Sequence, residues 1–233
     1  MVKRSFDNFD EFANEYRSIH TENVRVSGAD SFYFAMHKVE QVSRYETTKQ
    51  PCRLLDIGCG DGVAELFMAK LMPACRVDGI DISAKSIDAA REKNIPGTTF
   101  SVYDGKTIPF PDESFDIVFM AAVLHHIDFS FHPALMKEMY RVLKPGGRIY
   151  LFEHNPLNPL TRYLVKTCVF DKDARLLGYR YCGRLLQKAS FREIKKKFIL
   201  FFPRKGLLSR MIPMEEKLGW LPLGGQYMYR ARK

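Results

Sequence analysis

The chain has 233 residues, of which 46% are hydrophobic, and a formal net charge of +9. That length and composition suffice for one large core, and no apolar run approaches the ~20 residues that cross a bilayer. Five scattered cysteines without C-x-x-C spacing argue against both a disulfide framework and a zinc site. The first ten residues have no apolar segment of the signal-peptide type. We therefore expect one domain, residues 1–233, in a reducing cytoplasm.

The positive charge is concentrated near the C-terminus. Residues 184–233 carry a net charge of +10, and the rest of the chain carries −1. Three lysines at 195–197 precede an apolar run at 198–202. Three interpretations stay open: a helix end that runs into a buried strand, peripheral contact with an anionic membrane, or RNA binding. We expect no nucleic-acid partner, because no RNA-binding module is recognisable.

In chain order, residues 6–19 and 30–45 have helical patterns, and the sequence GADS at 28–31 supplies a break and an N-cap between them. An apolar strand over 54–57 then leads into glycines at 58, 60 and 62, and a helical pattern follows at 63–69. Glycine permits a sharp turn and close approach of a ligand to the backbone. The following helix start presents free amides and partial positive charge. We therefore predict a cofactor-binding turn.

Further strands alternate with helices, which predicts a parallel sheet covered on both faces. The predicted strands are 77–83, 98–102, 115–122, 149–152, 193–202 and 226–231, with an L-K-P-G-G turn at 143–147. Ligands of such sheets bind at the carboxyl ends of the strands. The spacing G-x-G-x-G, rather than G-x-G-x-x-G, disfavours a nicotinamide dehydrogenase.

Residues 50–153 resemble the class I S-adenosylmethionine (SAM)-dependent methyltransferases, in the small-molecule, type 11-like branch. The motifs D-x-G-C-G-D-G, D-I-S, Tyr103-Asp104, F-D-I-V-F, L-H-H and L-K-P-G-G occur in the family's order. The resemblance implies a Rossmann-like, mostly parallel seven-stranded sheet with an antiparallel last strand. It also implies a helical lid over residues 1–50, a cofactor-binding core over 51–153, and acceptor-side elements over 154–233.

The same resemblance assigns the cofactor site, for SAM and its product S-adenosylhomocysteine. The amino acid part of the cofactor is expected at Asp56, Gly58, Cys59 and Gly60, and the ribose at Asp81. Adenine is expected against Ile82, Asp104 and Gly105, with Ala121 near the sulfonium and Tyr16 reaching in from the lid. Simpler roles remain open: Asp56 and Asp104 as turn formers, Asp81 as a helix cap, and Tyr16 as an aromatic residue on the face of an amphipathic helix.

The acceptor side is irregular. Two Asn-Pro pairs make a stiff turn at 155–159, and helices are predicted near 161–167 and 181–189. Residues 203–225 are too long for a hairpin loop, and they are rich in Leu and Met with the single Trp. This insertion either walls an apolar acceptor pocket or packs on the sheet.

Methyl transfer to a hydroxyl needs a proton acceptor, and histidine suits that role near neutral pH. We expect His154, with Glu153 beside it, and secondly His126 to serve as base or acceptor ligand. Because neighbours on an extended segment point apart, at most one of His125 and His126 should face the acceptor. The alternative for each histidine is a structural role, in which a backbone carbonyl accepts a hydrogen bond from its ring. We expect no metal site, since His125, His126 and Asp128 make a poor ligand set.

The sequence thus predicts a methyltransferase acting on a small-molecule acceptor, at oxygen, with lipophilic, quinone-like or sugar-type acceptors all open. An RNA methyltransferase and a non-catalytic SAM-binding protein are the alternatives. Oligomeric state has no signature in the sequence.

Overall fold

The structure, a computed structural model, describes residues 28, 30–46, 50–168, 171 and 174–233. The helix predicted over 6–19, with Tyr16, lies outside the described residues. The strands are β1 Cys52–Ile57, β2 Cys75–Asp81, β3 Thr98–Val102, β4 Phe115–Ala121, β5 Leu143–His154, β6 Arg192–Ile199 and β7 Gln226–Arg232. The helices are α1 Ser31–Ser43, α2 Val63–Leu71, α3 Ala84–Glu92, α4 His132–Val142, α5 Pro159–Thr167, α6 Tyr179–Lys188 and α7 Glu215–Leu218. 3₁₀ segments cover Leu124–His126 and Leu207–Met214.

The seven strands form one sheet in the order β3-β2-β1-β4-β5-β7-β6. The pairs among β1 to β5 are parallel, and β7 runs antiparallel between β5 and β6. The predicted fold, including the antiparallel last strand, is confirmed. Strand order reverses between β1 and β4, and the carboxyl ends of strands beside such a switch point form the usual ligand crevice of this architecture.

Alternate residues of the central strands bury on opposite faces. Leu54 packs with α1 and α2, whereas Leu55 packs with α4 and α6. Successive side chains of a strand point to opposite faces of the sheet, and the central strands have apolar residues at nearly every position. Both faces of these strands are therefore buried. Helix α1, the described part of the predicted lid segment, buries Val39 and Val42 in the first of these clusters. Asp30 caps α1, as predicted, because its Oδ1 accepts from the Tyr33 amide at 2.8 Å.

The run of lysines at 195–197 belongs to β6, not to a helix end. Lys196 stacks 4.1 Å above the ring of Tyr179. Nζ of Lys197 donates to Gln41 Oε1 at 2.9 Å and also pairs with Glu216. Two of the three charges therefore have partners inside the protein, and contact of this region with a membrane stays a prediction.

Cys52 and Cys75 face each other in register at the amino ends of β1 and β2, where they form a disulfide. The prediction from cysteine spacing is wrong for this pair, because sequence spacing does not show which residues lie opposite each other across two strands. Cys59, Cys168 and Cys182 are buried and form no disulfide with a described residue. Among the described residues, no helix is both long and apolar enough to span a bilayer.

Candidate active site

The glycine turn lies at the switch point, between β1 and α2. Gly58, Gly60 and Gly62 all have positive φ, at +76°, +56° and +80°, a region that favours glycine. The Gly58 amide donates to the Ile80 carbonyl at 2.7 Å, which fastens the turn to β2. A Cβ added at Gly60 would meet nothing within 4 Å. The backbone of Gly60 thus borders open space, as a ligand cradle requires.

Gly58 also meets the loop that follows β4. A Cβ at this position would lie 2.4 Å from Cγ2 of Val123, so the absence of a side chain lets the two loops pack. Just before Val123, Ala122 has a φ of +58° and donates its amide to the Phe152 carbonyl at 2.9 Å. Non-glycine residues with this conformation concentrate at functional sites. Ala121, the last residue of β4, is partly exposed beside them.

Asp81 ends β2 and accepts hydrogen bonds with both carboxylate oxygens. Oδ2 accepts from the Gly60 amide and Oδ1 from the Ser83 amide, each at 2.9 Å. The helix cap is a different residue, because Ser83 Oγ accepts from the Ser86 amide. Two backbone amides therefore fix the orientation of the Asp81 carboxylate, and a carboxylate is the type of acceptor that suits ribose hydroxyls.

The segment after β3 contacts Ile82. A Cβ at Gly105 would lie 3.1 Å from Cγ2 of Ile82. Asp104 is exposed, and its Oδ1 accepts from the amides of Thr107 and Lys106 at 2.9 and 2.8 Å. Those bonds lower the pKa of Asp104, so it is an ionised turn former. A second carboxylate oxygen remains for another donor, so the turn role and the predicted adenine contact are compatible.

Asp56 and Cys59 are buried rather than displayed to solvent. Burial and then the nearby Glu65 carboxyl raise the pKa of Asp56 well above its usual range. The Cys59 thiol is likewise kept neutral, since burial raises its pKa. Sequence reasoning overlooked Glu65, whose only signal was an acid in the otherwise apolar start of α2.

At the carboxyl ends of β4 and β5, His125 and Glu153 are fully buried together. His125 Nδ1 lies 2.6 Å from Glu153 Oε2, and Glu153 Oε1 accepts from the Leu124 amide at 2.9 Å. Burial alone lowers the pKa of His125, but the carboxylates of Glu153 and Asp171 outweigh it and raise the pKa to about 10. Glu153 therefore orients His125 and is not exposed to a substrate.

His126 and His154 flank His125. The ring centroids of His125 and His126 are 4.1 Å apart, and those of His125 and His154 are 5.0 Å apart. Burial and the charge of His125 lower the pKa of His126 to about 3 and that of His154 to about 4. Both imidazoles are therefore neutral near pH 7.

The segment that carries His125 and His126 is a 3₁₀ turn, not an extended strand end. Their rings consequently lie side by side instead of pointing apart. The His126 side chain is 19% exposed and that of His125 only 1%, so only His126 is accessible from solvent. Sequence reasoning missed His132, whose Nε2 lies 3.1 and 2.9 Å from the carbonyls of Leu124 and Ile127 and holds this turn.

The insertion after β6 lies at the same edge of the sheet. Asn155 Nδ2 donates to the carbonyls of Pro222 and Gly224, and Asn158 Nδ2 donates to that of Leu223. Several of its apolar side chains remain exposed instead of packing on the sheet; these are Leu207, Leu208, Met214, Trp220 and Leu223. The edge that carries the histidines is therefore bordered by accessible apolar surface.

Enzymes that bind a nucleotide-like cofactor typically have a parallel sheet whose carboxyl edge carries a glycine-rich turn, an acidic residue at the end of the next strand and titratable side chains. Residues 55–151 match a family model described as a methyltransferase domain. The chain is 38% identical to 27-O-demethylrifamycin SV methyltransferase of Amycolatopsis mediterranei over 42% of this chain and 37% of that protein. It is 32% identical to demethylmenaquinone methyltransferase of Chlorobaculum parvum over 67% of this chain and 62% of that protein.

Among solved structures, a SAM-dependent methyltransferase of Thermotoga maritima superposes with a TM-score of 0.69 at 24% identity, over 97% of this chain and 98% of the other. Residues 55–151 thus match a methyltransferase domain, and the chain shares its fold with this SAM-dependent methyltransferase. The chain spans well under half the length of the first curated relatives it matches.

Proposed function

We propose that this protein transfers a methyl group from SAM to an acidic hydroxyl of an apolar small molecule, such as a phenol or quinol. The choice of oxygen as the methylated atom rests on one observation, the two neutral histidines His126 and His154 at the edge of the sheet that we assign to the acceptor. Among the relatives, one is named for an O-demethylated substrate and another for a demethylmenaquinone. Others are phosphoethanolamine N-methyltransferases, so the relatives alone leave the methylated atom open.

The residues present fit the cofactor. Gly60 borders open space and Asp81 is held in place by two amides. We assign the ribose to Asp81, the adenine to the surface of Ile82, Asp104 and Gly105, and the methionine part to the turn at Gly58–Gly60. Bound SAM supplies an electrophilic methyl on a sulfonium, and the protein's part is to align it with the acceptor atom.

On the acceptor side, we assign proton acceptance to His154 and contact with the acceptor to His126. A base with a pKa of about 4 is weak, because an effective base has a pKa near the working pH. Such a base serves best with a hydroxyl that loses its proton readily, as a phenol or quinol does. Exposed apolar side chains of the insertion, including Trp220 and Leu207, are suited to an aromatic or prenylated body of the acceptor.

The first experiment compares turnover of a phenol, a hydroquinone, an aliphatic alcohol and a primary amine, with product identified by mass spectrometry. We expect the phenol and hydroquinone to be methylated at oxygen. The variant His154→Ala should lower kcat about 10²-fold or more for the phenol. The loss should be much smaller for a nitrophenol, which is already ionised at neutral pH.

His37→Gln, which alters a histidine of α1, is the matched control and should leave these rates unchanged. Preferred turnover of the amine, or equal loss with both phenols, would contradict the proposal. Failure of the wild type to bind SAM would contradict the assignment of the cofactor site itself.

A further inference from the structure

We propose that His125, His126 and Asp171 bind a divalent transition-metal ion, with zinc as the representative ion. The three residues each offer one ligand atom, and these atoms all lie within 4.8 Å of one another. His125 and His126 come from the 3₁₀ turn after β4, and Asp171 comes from the segment after α5. The binding of the ion does not depend on the proposed function, although the catalytic role given to it below does.

The distances within this cluster match metal ligands better than hydrogen bonds. Nε2 of His125 lies 3.6 Å from Oδ1 of Asp171, and Nε2 of His126 lies 3.4 Å from the same atom. Direct N–H···O hydrogen bonds are ~2.7–3.2 Å long. Two ligands that are each ~2.0–2.1 Å from a tetrahedral zinc ion are about 3.3 Å apart. Both distances to Asp171 are therefore close to the ligand–ligand distance of a tetrahedral zinc site.

The surroundings of His125 supply a second, independent indication. Among the described residues, its buried Nε2 has no hydrogen-bond partner. Its Nδ1 is held 2.6 Å from Glu153, which is itself fixed by the Leu124 amide. A carboxylate on one imidazole nitrogen is the usual partner of a histidine that binds metal through the other, because it fixes the tautomer and the ring orientation. Nε2 is thereby aimed at Asp171.

The ligand types define the class of ion. Two imidazoles and one carboxylate suit zinc or a similar first-row metal, whereas calcium and magnesium prefer oxygen ligands. Three protein ligands leave a fourth position open, as in catalytic zinc sites. Because His126 is partly exposed, that position is reachable by a substrate hydroxyl. An ion there would acidify the hydroxyl, and the weak base His154 beside it would then suffice.

The sequence-based expectation of no metal site considered Asp128 as the third ligand. In the structure Asp128 is exposed and bonded locally, since its Oδ1 accepts from the amide and hydroxyl of Ser130 at 2.9 and 2.6 Å. Asp171, not Asp128, is the carboxylate near the two histidines, and only the tertiary fold brings it to them.

The test is calorimetric titration of chelator-stripped protein with Zn²⁺, together with Co²⁺ absorption spectra. We expect one ion per chain and the intense visible bands of tetrahedral Co²⁺. Asp171→Asn should weaken Zn²⁺ binding at least 100-fold. Asp128→Asn, an equivalent change at an exposed position close in sequence to the histidines, should bind like the wild type.

A proton shared by His125 and the two carboxylates is the alternative occupant of the cluster. Substoichiometric binding by the wild type, or equal binding by Asp171→Asn, would establish that alternative and overturn the proposal. SAM binding is measured on the same stripped samples. Its presence without zinc binding would contradict only the metal site, and zinc binding without SAM binding would contradict only the proposed function.

Discussion

The backbone amide of Gly60 donates a hydrogen bond of 2.9 Å to Oδ2 of Asp81, so the glycine turn and the end of β2 form one unit. The carboxylate is thus oriented before any ligand arrives. A pre-oriented acceptor loses less entropy on binding than a mobile one. This bond connects the part of the site assigned to the methionine with the part assigned to the ribose.

Replacement Asp81→Asn is therefore expected to weaken the binding of SAM and S-adenosylhomocysteine. Hydrogen bonds to a charged group contribute about 1.5–3 kcal/mol, which corresponds to roughly 10- to 150-fold in Kd. Calorimetry measures the change. Asp78→Asn is the control, because Asp78 lies on the same strand and bonds Arg53 and Thr99 instead. Equal affinities for the wild type and Asp81→Asn would refute the ribose assignment.

Substitutions in the glycine turn should separate packing from binding. Gly58→Ala places a Cβ 2.4 Å from Val123 Cγ2 and should destabilise the fold by about 1–3 kcal/mol. Val123→Ala in the same chain should restore part of that loss, because it removes the obstructing methyl groups. Chemical denaturation gives the free energies. No recovery in the double variant would show that the positive φ of Gly58, not the contact, dominates.

Gly60→Ala should behave differently. Its added Cβ meets nothing within 4 Å, so only the left-handed conformation costs stability, about 1 kcal/mol. The methyl group would nevertheless occupy the space assigned to the cofactor. We expect near-normal unfolding and strongly impaired SAM binding; normal binding would place the cofactor elsewhere.

The stability of the fold should fall in mild acid through His37. Burial and the charges of Lys38, Arg44 and Lys197 lower its pKa from 6.5 to about 4. Between these pH values the unfolded chain binds a proton that the folded chain does not, so stability decreases as pH falls. The slope is at most about 1.4 kcal/mol per pH unit for one group. His37→Gln should reduce the slope between pH 6.5 and 4 by the share of His37 and leave the share of His126 and His154, whose pKa values are also lowered. Urea denaturation measures the slope, and an unchanged slope would contradict the prediction.

The disulfide between Cys52 and Cys75 should contribute measurably to stability. It closes a loop with a sequence separation of 23, and the chain-entropy estimate for such a loop is about 3 kcal/mol. Cys52→Ala should lower the free energy of unfolding by that order under oxidising conditions. In excess reductant the wild type should lose the same amount and the variant nothing. A wild type that does not respond to reductant would show that the bond is dispensable.

Signals for the cofactor half of the site lie within short stretches of sequence. Gly58, Gly60 and Asp81 each follow a recognisable strand, and parallel strands bring their carboxyl ends to one edge. Asp171 has no such signal, because its approach to His125 depends on the path of the chain after β5. Packing between distant segments decides such contacts, and local patterns do not encode it.

Hydrogen bonds at several points, including Glu215 and both flanks, help attach the insertion after β6 to the sheet. Oε1 of Glu215 accepts from the amides of Phe201 and Phe202, and Asn155 and Asn158 bind the carbonyls at the far end. Leu207 and Trp220 are 76% and 73% exposed and contribute little to folding. The exposed side chains between these anchors can therefore change during evolution, or be exchanged by an engineer, to alter the range of acceptors of the proposed reaction while the proposed cofactor site stays intact.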